Sequence, residues 1–197
     1  MASRKHDTSA AILEAASRLL AEEGPAALTV RRIAAAAGGS TMNVYSGFGS
    51  KEGVVEALFV EGFHRLRAAM EGAGTTDDPG ADLMRCGVAY RRFALENPTY
   101  YGVMFEGVVP EFEHSGAAAD SAKDTLVLLA RRIRRTMDAG QLADGDEMQV
   151  AVSLWAVNHG IVSLELKMAG PPGIDWSERH RATLEAMMRG LAPAPPG

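Results

Sequence analysis

Apolar residues recur three and four positions apart along most of the chain and nowhere alternate with polar ones over the length of a strand, so the pattern predicts an all-α protein. Residues 7–23 put Ile12, Ala16, Leu19 and Leu20 on one side and Glu14, Arg18 and Glu22 on the other, with Asp7 or Thr8 as cap and Gly24-Pro25 as stop. Thr29 then opens a short helix whose Val30, Ile33, Ala34 and Ala37 share a face. Gly38 and Gly39 end it, because glycine enters the left-handed conformation without penalty. Ser40 can cap a further short helix, in which Val44 and Phe48 point inward while Thr41, Met42, Asn43 and Tyr45 lie outside. Ser50 caps a longer fourth helix over residues 51–70. After a polar, turn-forming loop at 72–80, helices are predicted at about 81–96, 98–105, 118–139, 146–169 and 176–191. Asn97-Pro98 is the best local start signal, residues 106–116 form an acidic loop, and Gly170-Pro171-Pro172-Gly173 is a stop.

Two short helices about a glycine turn make a helix-turn-helix, in which one helix packs and the next offers short polar side chains to base edges in a major groove. The spaced set Ile12 to Leu20 (Ile-Leu-x-Ala-Ala-x-x-Leu-Leu), Gly24, Leu28-Thr29-Val30, Ile33-Ala34, Gly38, Ser40, Val44-Tyr45, Phe48 and Ser50-Lys51 resembles the DNA-binding domain of the TetR family of bacterial transcriptional regulators. The likeness covers the first third of the chain without a gap. It departs from the family pattern at Gly39, where an apolar residue is usual, at Met42, and at Ser46-Gly47. These departures bear on operator sequence and affinity, not on fold. The domain order expected is a helix-turn-helix domain at 1–51, a connecting helix and loop at 52–79, an effector-binding and dimerisation domain at 80–191, and a disordered tail at 192–197.

Composition changes this picture little. At 197 residues, with 47% hydrophobic and 23% charged residues, the chain can bury a substantial core. No apolar run is long enough to span a bilayer and no signal-peptide core follows the N-terminus, so a cytoplasmic location is expected. A single cysteine, Cys86, excludes an internal disulfide. The net charge of −5 divides unevenly: residues 1–60 carry six Lys+Arg against six Asp+Glu, and the remainder fourteen against nineteen. DNA binding is therefore carried by geometry and a few placed cations rather than by bulk charge. Residues 1–6 read as a basic arm, either frayed or touching phosphates or a minor groove through Arg4 and Lys5.

Residues 146–169 leave hardly any polar face, which calls for cover on nearly all sides and, economically, for a second subunit. The family resemblance implies a homodimer formed by the last two helices, here carrying Trp176, Leu184, Met187 and Met188, and thus two operator half-sites. Trp155 with His159-Gly160, together with Asn97-Pro98, Tyr101 and Met104-Phe105, resembles a TetR subfamily named for a Trp, His, Gly signature. Gly160 would let another helix approach closely. His159 reads either as a core histidine with one hydrogen bond or as a ligand contact. The resemblance further implies a small-molecule cavity. Its candidate walls are Met84, Val88, Phe93, Tyr101, Met104, Phe105, Leu129, Ile133, Trp155 and His159, any of which can equally be plain core. An uncharged or weakly acidic, largely apolar effector suits them.

The run Arg131-Arg132-Ile133-Arg134-Arg135 splays around a helix and reads as a solvated, ion-paired face rather than a second DNA contact. Glu111, Glu113, His114 and Cys86 lack any metal-ligand spacing, so no metal or other cofactor is expected. No nucleophile with a base, carboxylate pair or phosphate loop suggests an enzyme. If the helix-turn-helix docks as its relatives do, Thr29, Tyr45 and Lys51, with Arg31 or Arg32, hold phosphates, while Ser40, Thr41, Asn43 and Ser46 read bases. The function expected is a repressor that leaves a palindromic operator when effector binds. The alternative is a helical small-molecule binder with weakened or lost DNA binding.

Overall fold

The computed structural model describes residues 2–110 and 112–194, with residues 2–7 as backbone alone. Among them lie nine α-helices: α1 (Ala2–Glu23), α2 (Val30–Ala36), α3 (Thr41–Phe48), α4 (Lys51–Gly72), α5 (Pro79–Glu96), α6 (Pro98–Phe105), α7 (Gly116–Asp138), α8 (Glu147–Leu166) and α9 (Trp176–Gly190). A single 3-10 turn, Pro25–Ala27, follows α1, and the described residues contain no strand. No helix among them is long and apolar enough to cross a membrane. The chain is all-α, as its periodicity requires.

The helices form two compact units, residues 1–64 with 97–121, and residues 65–96 with 122–197. Both α4 and α7 contribute to each. In the first unit, α1 buries Ile12, Ala15, Ala16, Leu19 and Leu20, and packs against α2, whose Ile33 and Ala34 are buried. The first half of α4 adds Val54, Val55, Leu58, Phe59 and Phe63. Short α6 belongs here too, against α1. It also approaches α4 so closely that a Cβ on Gly62 would lie 2.5 Å from the Met104 sulfur. Phe63 meets Phe105 edge-on at 5.4 Å between ring centres, and Phe59 packs near Phe112 and His114.

Several local expectations need correction. Helix α1 begins at Ala2, so the backbone of the basic arm is helical and neither Asp7 nor Thr8 starts the helix. The side chains of Arg4 and Lys5 fall outside the described residues, as do Glu111 and the tail from Pro195. The polar loop is shorter than its composition suggests, because Pro79 supplies the first turn of α5 and Asp78 accepts from the Ala81 amide at 3.1 Å. Asn97 precedes α6 as read, with Pro98 in the first turn, yet its side chain makes no capping bond.

In the second unit Ile133 is fully buried in a core cluster with Leu83, Ala130, Met137, Leu142, Ala151 and Leu154. The arginine run is not a uniformly solvated face. Arg134 does pair outward with Asp138 and Asp144. Arg132, however, donates to the Met70 and Gly74 carbonyls, both at 2.9 Å, in the last turn of α4 and just beyond it. Arg135 reaches Asp82 at 2.6 Å and the Thr76 carbonyl. Buried Asp82 also accepts from the Thr76 amide at 2.8 Å, the Thr76 hydroxyl at 2.7 Å, and Arg85. These bonds, the Thr76 amide first, hold its carboxyl far below the usual carboxylate range. The loop after α4 is thereby stapled to α5 and α7.

Candidate nucleic-acid interface and helical interior

The helix-turn-helix is built by its punctuation. The Thr29 hydroxyl accepts from the Arg32 amide at 3.3 Å and caps α2. Gly38 takes φ +67°, a left-handed value that returns the chain, while the Gly39 amide donates to the Ala34 carbonyl at 2.9 Å. Ser40 precedes α3 as read, but its hydroxyl does not cap a backbone amide. It donates to Asn43 Oδ1 at 3.1 Å instead. Behind the turn, between α1, α2 and the start of α3, lies a cavity of about 260 Å³ lined by Thr8, Ile12, Ala34, Ala37, Gly39 and Asn43 among others.

Val44 is wholly buried and anchors α3, and Phe48 is half-buried below it. The opposite face is open. Ser40, Thr41, Asn43 and Ser46 are all exposed there, with Met42 70% and Tyr45 54% exposed. Exposure of two large side chains beside short polar ones is what a groove-entering helix presents. Thr29 and Arg31 are exposed and Lys51 half-buried, its ammonium 3.5 Å from Glu52. Arg32 is committed to an ion pair with Glu23, which lowers the Glu23 carboxyl. That leaves Arg31 as the freer cation of the two on α2. At the far end, Ser50 caps α4 through the Gly53 amide at 3.1 Å. Gly53 is the residue that sequence reasoning missed: a Cβ there would lie 1.9 Å from the Phe48 carbonyl oxygen. Its only signal in the sequence is a glycine in the first turn of a helix, where propensity argues against it.

The candidate effector contacts fall in both units. On α6, Tyr101 and Met104 are buried and Phe105 is half-buried, with the Tyr101 and Phe105 rings 5.0 Å apart. In the second unit Phe93 is buried, Met84, Leu129, Trp155 and His159 are half-buried, and Val88 is 48% exposed. His159 Nδ1 lies 3.4 Å from the Tyr90 hydroxyl, and its ring is 6.1 Å from that of Trp155. Cys86 is buried, which pushes its thiol up to about 11.

Within the single chain, helix α8 buries one face and leaves another open. Ala151, Leu154, Asn158 and Val162 are buried, while Met148, Val152 and Leu164 are exposed, and nothing lies within 4 Å of a Cβ placed on Gly160. The close helix neighbour expected at Gly160 is thus not found within the protomer.

Polar groups tie α5, α8 and α9 together. Arg91 and Glu165 form a two-pronged pair at 2.7 and 2.6 Å, and buried His180 meets Asn158 Oδ1 at 2.6 Å while Asn158 donates to the Gly87 carbonyl at 3.4 Å. Burial, reinforced by Arg91 and opposed by Glu165, lowers the His180 imidazole below its ordinary value. The inward period through Trp176, Leu184 and Met187 includes position 180 and was the available signal for this histidine.

An exposed polar reading helix on a buried anchor, followed by a larger helical unit, defines a helix-turn-helix regulator. Residues 12–58 match the profile of the bacterial regulatory proteins of the tetR family, and residues 83–191, more than half of the chain, match that of the tetracyclin repressor-like C-terminal domain. The chain belongs to the TetR family, and it is a ligand-responsive, DNA-binding transcriptional regulator.

Among solved structures, a protein with unknown function from Rhodococcus sp. RHA1 is 25% identical, with TM-score 0.83 and 94% of this chain and 96% of that one covered. The TetR family transcriptional regulator PfmR from Thermus thermophilus is 27% identical, with TM-score 0.68 and 92% and 99% covered. The fatty acid degradation regulator FadR from Bacillus halodurans, 18% identical with TM-score 0.76 and 92% and 98% covered, shares the fold. Comparison with curated proteins finds no match. Regulators of this family bind DNA and dimerise, and are generally not enzymes.

Proposed function

We propose that the protein is a cytoplasmic, non-enzymatic repressor that binds a palindromic operator as a homodimer and leaves it when a small, largely apolar effector binds among the C-terminal helices. The observation that carries the DNA-reading half is the open face of α3 set opposite fully buried Val44. Asn43 has the donor and acceptor needed for a bidentate pair with adenine, and Thr41 a methyl to meet that of thymine. Ser40 and Ser46 add shorter contacts. Thr29, Arg31, Tyr45 and Lys51 hold the flanking phosphates and fix register.

Dimerisation through α8 and α9 is supported by the exposed Met148, Val152 and Leu164 and by the open Gly160, a row of apolar and small positions along one side of α8. The effector reading is supported by buried aromatic and methionine side chains on α6 and by the Trp155 and His159 neighbourhood on α8. Effector binding then alters the packing of α5 or α6 against α4 and, in the dimer, the spacing of the two recognition helices.

The test is selection of duplexes from fragmented source-genome DNA by the purified protein, followed by titration of the best site at two salt concentrations. Enrichment of an inverted repeat, with affinity falling steeply with salt, is the expected result. A folded dimer that enriches nothing, even after refolding without ligand, would refute the DNA-reading role and favour the small-molecule binder. The Asn43→Ala, Tyr45→Ala double variant is expected to lose the operator while keeping its fold and dimer.

A further inference from the structure

We propose that Gly39 sets the base preference of the reading head by positioning Asn43, an inference that rests on the DNA-reading role of α3. The backbone does not require glycine at this position: the left-handed residue of the turn is Gly38, and Gly39 lies outside that region. What distinguishes Gly39 is what a side chain would meet. A Cβ there would stand 3.2 Å from Asn43 Nδ2 and 4.0 Å from the Ala34 carbonyl, so the Asn43 amide occupies the space over the glycine.

The same amide is held from its other end, where the Ser40 hydroxyl donates to Oδ1 at 3.1 Å. Ser40 therefore holds one end of the amide, and Gly39 leaves room for the other. Ser40 decides which end is oxygen, and the bare Cα of Gly39 lets the nitrogen settle toward the turn. Oδ1 keeps a second lone pair, so the seated amide can still accept from adenine N6 while Nδ2 donates to N7, the pairing that distinguishes adenine in the major groove. The cavity of about 260 Å³ behind Gly39 is the volume into which an apolar side chain at this position could turn.

Gly39 is a positioning residue, and its readout is a base preference rather than stability. Duplex selection with the wild type, Gly39→Ala, Ser40→Ala, Asn43→Ala and the Gly39→Ala, Asn43→Ala pair is expected to show one adenine preference per half-site. Gly39→Ala and Ser40→Ala lower it by about tenfold and Asn43→Ala abolishes it. In the pair, Gly39→Ala changes nothing further. Circular dichroism and the salt slope of binding are expected to stay at wild-type values in Gly39→Ala. An operator enriched identically by the wild type and Gly39→Ala, or a change that persists in the Asn43→Ala background, overturns this proposal alone. Failure of the wild type to enrich any operator overturns the DNA-reading role and this proposal with it.

Discussion

Gly47 and Gly53 sit six residues apart on either side of the joint between α3 and α4, and alanine at each is expected to act with opposite sign. Glycine inside a helix costs up to about 1 kcal/mol relative to alanine, so each substitution starts with that gain. At Gly47 a Cβ meets only the Ser9 hydroxyl oxygen at 4.0 Å, so the gain is kept. At Gly53 the Cβ lies 1.9 Å from the Phe48 carbonyl oxygen. Carbon and carbonyl oxygen in ordinary contact sit about 3.3 Å apart, which leaves an overlap of about 1.4 Å. The obstructing atom is backbone, so no rotamer relieves the clash and the turn after α3 must shift. Overpacking of this kind costs about 1–3 kcal/mol, and a rigid neighbour places it near the top, for a net loss of about 2 kcal/mol. At about 2–4 °C per kcal/mol in a chain of this size, thermal midpoints of the two variants should differ by about 6–12 °C, with Gly47→Ala higher than wild type. Circular dichroism melts at one fixed protomer concentration measure this, since dimerisation makes the midpoint concentration-dependent. Gly53→Ala should also bind the operator more weakly, because it moves the C-terminal end of α3. Coincident midpoints for the two variants would refute the reasoning, for they would mean that Gly53 has room the structure denies it.

Three further outcomes follow from the second unit. Arg91→Met and Glu165→Leu should each cost about 2 kcal/mol, between the exposed and fully buried limits since the side chains are 19% and 12% exposed; a double-mutant cycle in urea that finds no coupling would sink the pair. His180, whose imidazole is held below its ordinary 6.5 by burial and Arg91, binds its proton less readily folded than unfolded, so its contribution is intact above about pH 6.5 and is lost as pH falls toward the folded value. His180→Gln should flatten stability against pH between 5 and about 6.5, and an unchanged slope would remove His180 as the cause. Asp82, held low by Thr76, Arg135 and Arg85, contributes stability that is present above the ordinary carboxylate range and lost on acidification below it. Asp82→Asn should speed amide exchange at residues 73–78 ahead of the rest of the chain, whereas uniform acceleration would mean global rather than local loosening.

Element type was legible because each helix carries its own period and punctuation: Thr29, Gly38, Ser50 and Pro98 act locally and are found where local rules put them. What escaped was set by distant neighbours. Nothing around Ser40 reveals that its hydroxyl serves Asn43 instead of a backbone amide, since both lie three residues on. The arginine run looked solvated because splayed charges usually are, yet Arg132 and Arg135 are drawn in by acceptors 53 to 62 residues away in sequence. For helix α8, composition counts apolar residues without saying which of them, such as Val152 and Leu164, stay exposed in the single chain. The polar ties through Asn158 and His180 were hidden for the same reason: a single polar residue on an apolar stripe has no partner that periodicity can name. Where the open face of α3 was concerned, one buried valine sufficed, because anchoring Val44 inward dictates the direction of every neighbour on an eight-residue helix.

The membership of α6 in the first unit bears on how an effector acts. Tyr101, Met104 and Phe105 share that unit with the helix-turn-helix, and α6 touches α1 while Met104 and Phe105 press on Gly62 and Phe63 of α4. A molecule that displaces these side chains therefore acts on packing in the same compact unit as α3. Weakening the operator a hundredfold requires an effector that prefers the released state by about 2.7 kcal/mol. Truncating one buried methionine in a core costs about 2–5 kcal/mol, so the repacking of Met104 alone is of the right size. Gly62 is what admits that contact: a Cβ there would lie 2.5 Å from the Met104 sulfur, so the methionine seats directly against the α4 backbone. A larger residue at position 62 would take that seat from Met104 and push α6 away from α4, so it should change operator affinity with no effector present.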